Sequence, residues 1–266
     1  MIAFDAMLAA AKLVSENVES KATGGTVTTL IDTTLGTTKD DWWNGGVVFV
    51  RSGTYNANTA LEVLDYTESS KTLIVSATNL AHAIASDNRY TLIRGTYHKQ
   101  ALLDAVNMAL TEIGAVSQTD DTLLVTADTE EYDLPAGVSN VVRVQVGGSA
   151  SEPYTWETLH YWREMGTKLI FPNGKAPTSD GMPLRLIYNA PHAVLTADSD
   201  SIDSAIHPTR LAWLSGYHAV LERVRLVGAD DQKTKDLMAL MSSRVQEMAA
   251  RFPVRRVTKL TTGSGL

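Results

Sequence analysis

Asp198, Asp200 and Asp203 lie within one short stretch, and carboxylates at that density can hold a hard cation such as calcium. A calcium loop of the EF-hand kind needs Gly at its sixth position and a bidentate Glu at its twelfth. Asp203 and Thr209 stand at those places, so the stretch is read as a solvated loop leading into a helix. His160 with Glu164 makes no better metal-binding helix, because the HExxH order is missing and no second His follows at four residues. The six histidines, at positions 82, 98, 160, 192, 207 and 218, never pair at ligand spacing. His218 falls between Tyr217 and Leu221 on a helix and reads as a partly buried packing residue. P-loop, GxGxxG and GxSxG patterns are all absent. The chain has no Cys, which removes thiolate zinc sites, disulfides and a Cys nucleophile together. The expectation is a protein with no catalytic residue, no metal and no cofactor.

Two features invite a binding role. Trp42, Trp43, Trp156 and Trp162 with Tyr154 and Tyr161 could form a platform for sugar rings, but Trp and Tyr serve cores and interfaces equally well. Adjacent residues on a strand point to opposite faces, so one of Trp42 and Trp43 is expected inside and one outside. Core or oligomer contact is the favoured role. The second feature is a basic run: Arg251, Arg255, Arg256 and Lys259, with no acid from Ala249 onward. Such a run is either a frayed, solvated terminus or an arm that orders on an acidic partner or near phosphates. Its core, Val254-Arg-Arg-Val-Thr-Lys-Leu, could dock by strand addition.

The elements that must position these residues alternate between helix and strand. Residues 2–19 keep a helical spacing through Phe4, Leu8, Ala11, Val14 and Val18. From Thr26 to Arg94 the composition turns to Thr, Val, Ile, Tyr and Gly, and five strands are predicted at 26–31, 46–50, 60–66, 72–76 and 90–94. They suggest a small closed barrel or sandwich. Helix returns at 97–113 and ends at Gly114. Strands follow at 122–126, 140–146, 168–171 and 184–188, with a hairpin expected from 167–171 to 183–188 across the loop 172–182.

The stretch 207–252 reads as two helices joined at Gly228. In the first, Trp213, Tyr217, Val220, Val224 and Val227 recur at spacings of four, three, four and three, one face of a helix and the expected core of a bundle. Pro208 suits a first helical residue. Asp230 and Asp231 suit the start of the second helix, whose expected buried side is Leu237, Leu240, Met241, Val245 and Met248. The predicted fold class is α+β: a helical bundle with an inserted small all-β lobe and a second β region before the C-terminal helical hairpin. The predicted domains are 1–21 plus 96–252 as core, including β hairpins at about 122–190; 22–95 as the inserted lobe; and 253–266 as an extended C-terminal arm.

A length of 266 residues, with 44% hydrophobic and 20% charged, allows one large or two modest folded domains and excludes a disordered chain. The net charge of −7 argues against a dedicated nucleic-acid binder. Asp5 interrupts an N-terminus that also lacks the basic start of a signal peptide, and no run reaches the roughly 18 apolar residues of a membrane span. A soluble protein made in the cytosol, with no membrane contact, is expected.

The order of pieces resembles that of a known family. Asp40-Asp-Trp-Trp-Asn-Gly-Gly-Val-Val-Phe-Val with the strands after it is similar to a lobe that recurs in structural proteins of tailed bacteriophages. Glu131-Tyr-Asp-Leu-Pro-Ala-Gly-Val is similar to their turn before a Val-Arg-Val strand. Leu184-Arg-Leu-Ile-Tyr-Asn-Ala-Pro, the Asp198 loop, then His207-Pro and a long helix resemble the closing part of phage head-to-tail adaptor (connector) proteins. The resemblance implies a non-enzymatic virion protein of the neck, made in the host bacterial cytoplasm. It implies a homo-oligomeric ring, usually a dodecamer, beneath the portal protein, receiving a tail-completion, stopper or tail protein on its other side. The genomic double-stranded DNA would pass through the lumen without sequence-specific binding. Arg251–Leu266 would be the portal-binding arm, and 2–19, 97–113 and 207–252 would build the ring body. Two other functions fit the residues: another neck or tail-completion protein, or a carbohydrate-binding module or hydrolase built on the β lobe around Trp42 and Trp43.

Overall fold

Helix α1 (Ala3–Val14) buries Phe4, Met7, Ala10 and Ala11, and the Asp5 carboxylate accepts the Ile2 N–H at 3.2 Å to close its first turn. It stops short of residue 19, the end its periodicity predicts, because Ser15 turns extended and Asn17–Lys21 becomes strand β1. Sheet pairing overrides the helical spacing here: β1 runs antiparallel to Arg89–Ile93 in full register, and Val18 packs on the core beneath it. The computed structural model describes residues 1–36, 38–76, 80, 82–148, 155–228, 232–254 and 256, with the backbone alone at Val227.

Strands β2 (Gly24–Gly25), β3 (Thr29–Ile31), β4 (Val47–Val50), β5 (Thr59–Thr67), β6 (Thr72–Val75) and β7 (Arg89–Ile93) complete one antiparallel sheet of order β1-β7-β4-β5-β6-β3-β2. It curves into a half barrel around Trp43, Leu61, Tyr66, Leu73, Tyr90 and Leu92. A register shift between Val63 and Asp65 supplies bending, as an extra residue on one strand does. Two glycines let the lobe close. A Cβ on Gly46 would stand 2.3 Å from Ile93 O, and one on Gly95 would stand 2.1 Å from Asn44 O, so only a bare backbone fits.

Helix α2 (Lys99–Ile113) ends at Gly114, whose φ of +77° is the left-handed conformation expected there. The next strands, β8 (Val116–Leu124), β9 (Glu131–Asp133), β10 (Val141–Gly147), β11 (Trp156–Leu159), β12 (Arg163–Met165), β13 (Lys168–Ile170) and β14 (Pro183–Ala190), form two sheets, of orders β11-β10-β14-β8 and β12-β13-β9. The expected hairpin between 167–171 and 183–188 does not form. β13 pairs with β9 and β12, whereas β14 pairs with β10 and β8. The loop between them is tied to β8's end instead, through Val125 N to Met182 O and Gly181 N to Val125 O.

Helix α3 (Pro208–Val227) has Pro208 in its first turn and His207 as N-cap, the imidazole accepting the Thr209 N–H. Helix α4 (Gln232–Arg251) follows; Asp230 and Asp231, expected at its start, lie outside the described residues. The chain divides into two compact units. One comprises Met1–Ile113 with Ala193–Pro253, the other Gly114–His192 with Val254–Leu266. Within the first, α1, α2 and α4 all pack on α3.

The fold class differs from the sequence expectation. Strand exceeds helix, 30% to 28% of the chain, and the dominant element is the seven-stranded half barrel rather than a helical bundle carrying a small β lobe. The cause is local. Residues 17–19 read as helix yet pair in the sheet as part of β1, and β8 begins at Val116, well before the apolar run that announces it.

Candidate functional site

Thr196, Ala197, Ser199 and Ser201 of the loop are exposed, but Asp198 is not the water-facing carboxylate expected. Asp198 is mostly buried, its side chain 13% exposed, and Oδ2 accepts Lys99 Nζ at 2.9 Å and Ala60 N at 2.8 Å. Lys99 Nζ also donates to Ala60 O at 2.8 Å. The main-chain carbonyls of Asp198 and Asp200 receive Phe4 N and Ala3 N, two of the unpaired amides at the start of α1. Asp200 Oδ2 accepts Thr196 N and Ala197 N, and these amides hold its carboxyl below the ordinary value. The loop therefore buckles β5, α1 and α2 together. Among the described residues no group of His, Asp or Glu has the geometry to hold a metal ion.

The other chemistry candidates also work within the fold. Glu164 accepts Asn140 N and Val141 N at 3.0 and 2.8 Å, anchoring the start of β10, while His160 is exposed. Trp43 is buried in the half barrel, and Trp42 is half-buried beneath the Arg94 guanidinium, 3.7 Å above its ring. Trp156 lies under Arg185 at 3.6 Å, with Arg185 bidentate on Asp121. Trp162 donates to Leu159 O, and Tyr161 is exposed. Tyr154 lies outside the described residues. The structure thus splits the described aromatics between the two units, each capped by a cation or packed in a core.

Along α3, Val220 is buried; Trp213, Tyr217 and Val224 are half-buried; the side chain of Val227 is not among those described. The deepest positions are Leu211, Leu214, Ser215, Ala219 and Val220, because three helices cover α3 on several sides. Gly216 sits at the α1 crossing, where an added Cβ would meet Val14 Cγ1 at 3.3 Å. His218 is buried as expected, and its Nε2 lies 2.9 Å from Glu112 Oε2 on α2. Helix α4 buries only Met241 and Met248; Leu240, expected inside, is 49% exposed.

Of the basic run, Arg251 is exposed at the end of α4 with its guanidinium 5.5 Å over the Phe252 ring. Phe252 stacks on His207 at 3.6 Å, and its carbonyl accepts Arg210 Nη1 at 3.1 Å. The chain is thus pinned to the start of α3 just where the run begins. Arg256 is exposed; Arg255 and Lys259 lie outside the described residues.

These placements describe a scaffold with polar groups spent on structure and apolar surface left on helices. A family model described as SU10 adaptor protein matches residues 71–261. The chain belongs to the SU10 adaptor protein family. The match runs from the last strands of the half barrel through the second unit and both long helices. No curated protein matches the chain. As an SU10 adaptor it is a structural component of a bacteriophage virion that associates with other head and tail proteins. No described helix is long and apolar enough to cross a membrane.

Proposed function

We propose that this SU10 adaptor forms a homo-oligomeric ring, a dodecamer, that joins the portal protein at the head vertex to a stopper or tail-completion protein and lines the DNA channel. The family match over residues 71–261 carries this reading. The net charge of −7 supports it, since an acidic lumen repels phosphates and lets the genome slide without gripping it. The basic residues Arg251, Arg255, Arg256 and Lys259 are then the portal-binding arm, which leaves the scaffold at Pro253 and docks on the portal by charge and strand addition.

The test is reconstitution with purified portal protein. The full chain is expected to form a large complex, and removal of 253–266 is expected to abolish it while leaving the chain folded by circular dichroism. Undiminished binding of the shortened chain removes the arm assignment. A chain that instead copurifies with headless tails points to a tail-side component.

A further inference from the structure

We infer that the cavity where the end of α1 meets α3 and the start of α4 binds a phosphate group, held by Arg223 and Lys233. The cavity has a volume of about 290 Å³. Four parts of the first unit bring chemistry to it: Arg94 follows β7, Tyr97 precedes α2, Arg223 lies on α3 and Lys233 in the first turn of α4. Of the lining residues three are cations and one, Glu16, is an acid, an excess of positive charge in a chain whose net charge is −7.

Only part of that charge is used within the fold. Glu16 faces Arg94 at 3.5 Å, and the Arg94 guanidinium also lies over the Trp42 ring. Arg223 stands 5.7 Å over the Tyr97 ring. Among the described residues neither Arg223 nor Lys233 has a carboxylate within ion-pair distance. Two cations left over in one cavity match about two negative charges. A terminal phosphate carries about −1.5 to −2 at neutral pH, whereas a carboxylate, or one phosphodiester of DNA, carries a single charge.

The walls suit that ligand in two further ways. Ser15, Thr96 and Thr234 bring hydroxyls, and a phosphate has oxygens to accept from hydroxyls as well as from a guanidinium fork. Val14, Tyr97 and Val220 are buried and form the apolar side with Leu237. Low-dielectric walls strengthen the attraction between fixed cations and an anion. A phosphate held by both cations would link α4, which buries only Met241 and Met248, to α3. The inference goes beyond the ring reading and does not depend on it.

The test uses the purified full chain in phosphate-free chloride buffer, with inorganic phosphate as the probe. Calorimetric titration at constant ionic strength is expected to show one saturable site, and the melting temperature should rise with the logarithm of phosphate concentration. Acetate at the same ionic strength should give neither response. Lys233→Gln, a change at an exposed residue, is expected to weaken phosphate binding at least about fivefold, as is Arg223→Gln. Lys233→Arg, which keeps the charge, should retain it. Lys235→Gln, exposed on the same helix but outside the cavity lining, should leave binding unchanged. A response to phosphate no larger than to acetate overturns the inference, as does binding that survives both Lys233→Gln and Arg223→Gln. A short DNA duplex bound through Lys233 when inorganic phosphate does not bind overturns it in favour of a DNA contact. No arm contains portal protein, so these results bear on the cavity alone.

Discussion

Lys99 Nζ lies 2.9 Å from Asp198 Oδ2, a partner distant in sequence, and that same oxygen holds the amide of Ala60 at 2.8 Å. A lysine at the start of α2, a β5 amide and the loop before α3 thus share one carboxylate.

Removing that carboxylate leaves the ammonium without its counter-ion, held by Ala60 O alone, and the Ala60 amide without its acceptor. Asp198→Ala is expected to destabilise the chain by about 3 kcal/mol, Lys99→Met by less, and the double variant by less than the sum. Urea unfolding of the four proteins in a double-mutant cycle gives the coupling; strict additivity would mean the ion pair carries nothing.

Asp32 is wholly buried and accepts Ser20 Oγ, Thr34 Oγ1 and Tyr90 OH at 2.5, 2.6 and 2.7 Å, with Thr34 N at 2.8 Å. Burial alone would raise its pKa, but these donors outweigh burial and hold it below the ordinary 3.8. A carboxyl with a folded-state pKa below its unfolded value binds protons more weakly when folded. Its stabilisation is therefore present above that unfolded value and disappears as pH falls through the folded one. Asp32→Asn is expected to lower stability at neutral pH by about 2 kcal/mol and to flatten the loss of stability in acid, read from urea midpoints at descending pH. An unchanged acid slope would remove Asp32 from the account.

Gly95→Ala is expected to cost roughly 3 kcal/mol, since its Cβ would be forced against Asn44 O in backbone that cannot retreat. Gly36→Ala, where nothing lies within 4 Å, should stay within about 0.5 kcal/mol of the parent. Thermal melts of the two variants make the comparison.

Phe252→Ala removes the ring stacked on His207 and should loosen the exit of α4. Trypsin cleavage after Arg251 is expected to speed up, with a stability loss of about 1 kcal/mol. Equal cleavage rates would show that the Arg210 hydrogen bond to Phe252 O suffices to hold the turn.

Periodicity located α2, α3 and five of the seven strands of the half barrel to within a few residues, because each carries its own apolar pattern; it missed the two-glycine strand β2. It missed β1, whose Asn-Val-Glu-Ser-Lys alternates but follows a helix without a break. It also misjudged the Asp198 loop. Three nearby aspartates look like water-facing charge, and only the distant Lys99 and the Ala60 amide show what the Asp198 carboxylate holds, while the main-chain carbonyls of Asp198 and Asp200 take the α1 amides. Leu240 failed for the converse reason: it keeps the spacing of a buried helical face yet is 49% exposed. A pattern in sequence reports that a face is apolar but not what covers it.

The amides of Ala3 and Phe4 find their acceptors on Asp200 and Asp198, which translation supplies long after α1 itself has been made. The seven-stranded sheet is complete at Ile93 and is free to form early, whereas the helical layer beside it must wait. A prematurely terminated product would carry a finished sheet with an unclosed first helix, its Phe4 and Met7 face open to chaperones and proteases. The clasp at Asp198 thereby makes synthesis past that loop a precondition for closing the first helix.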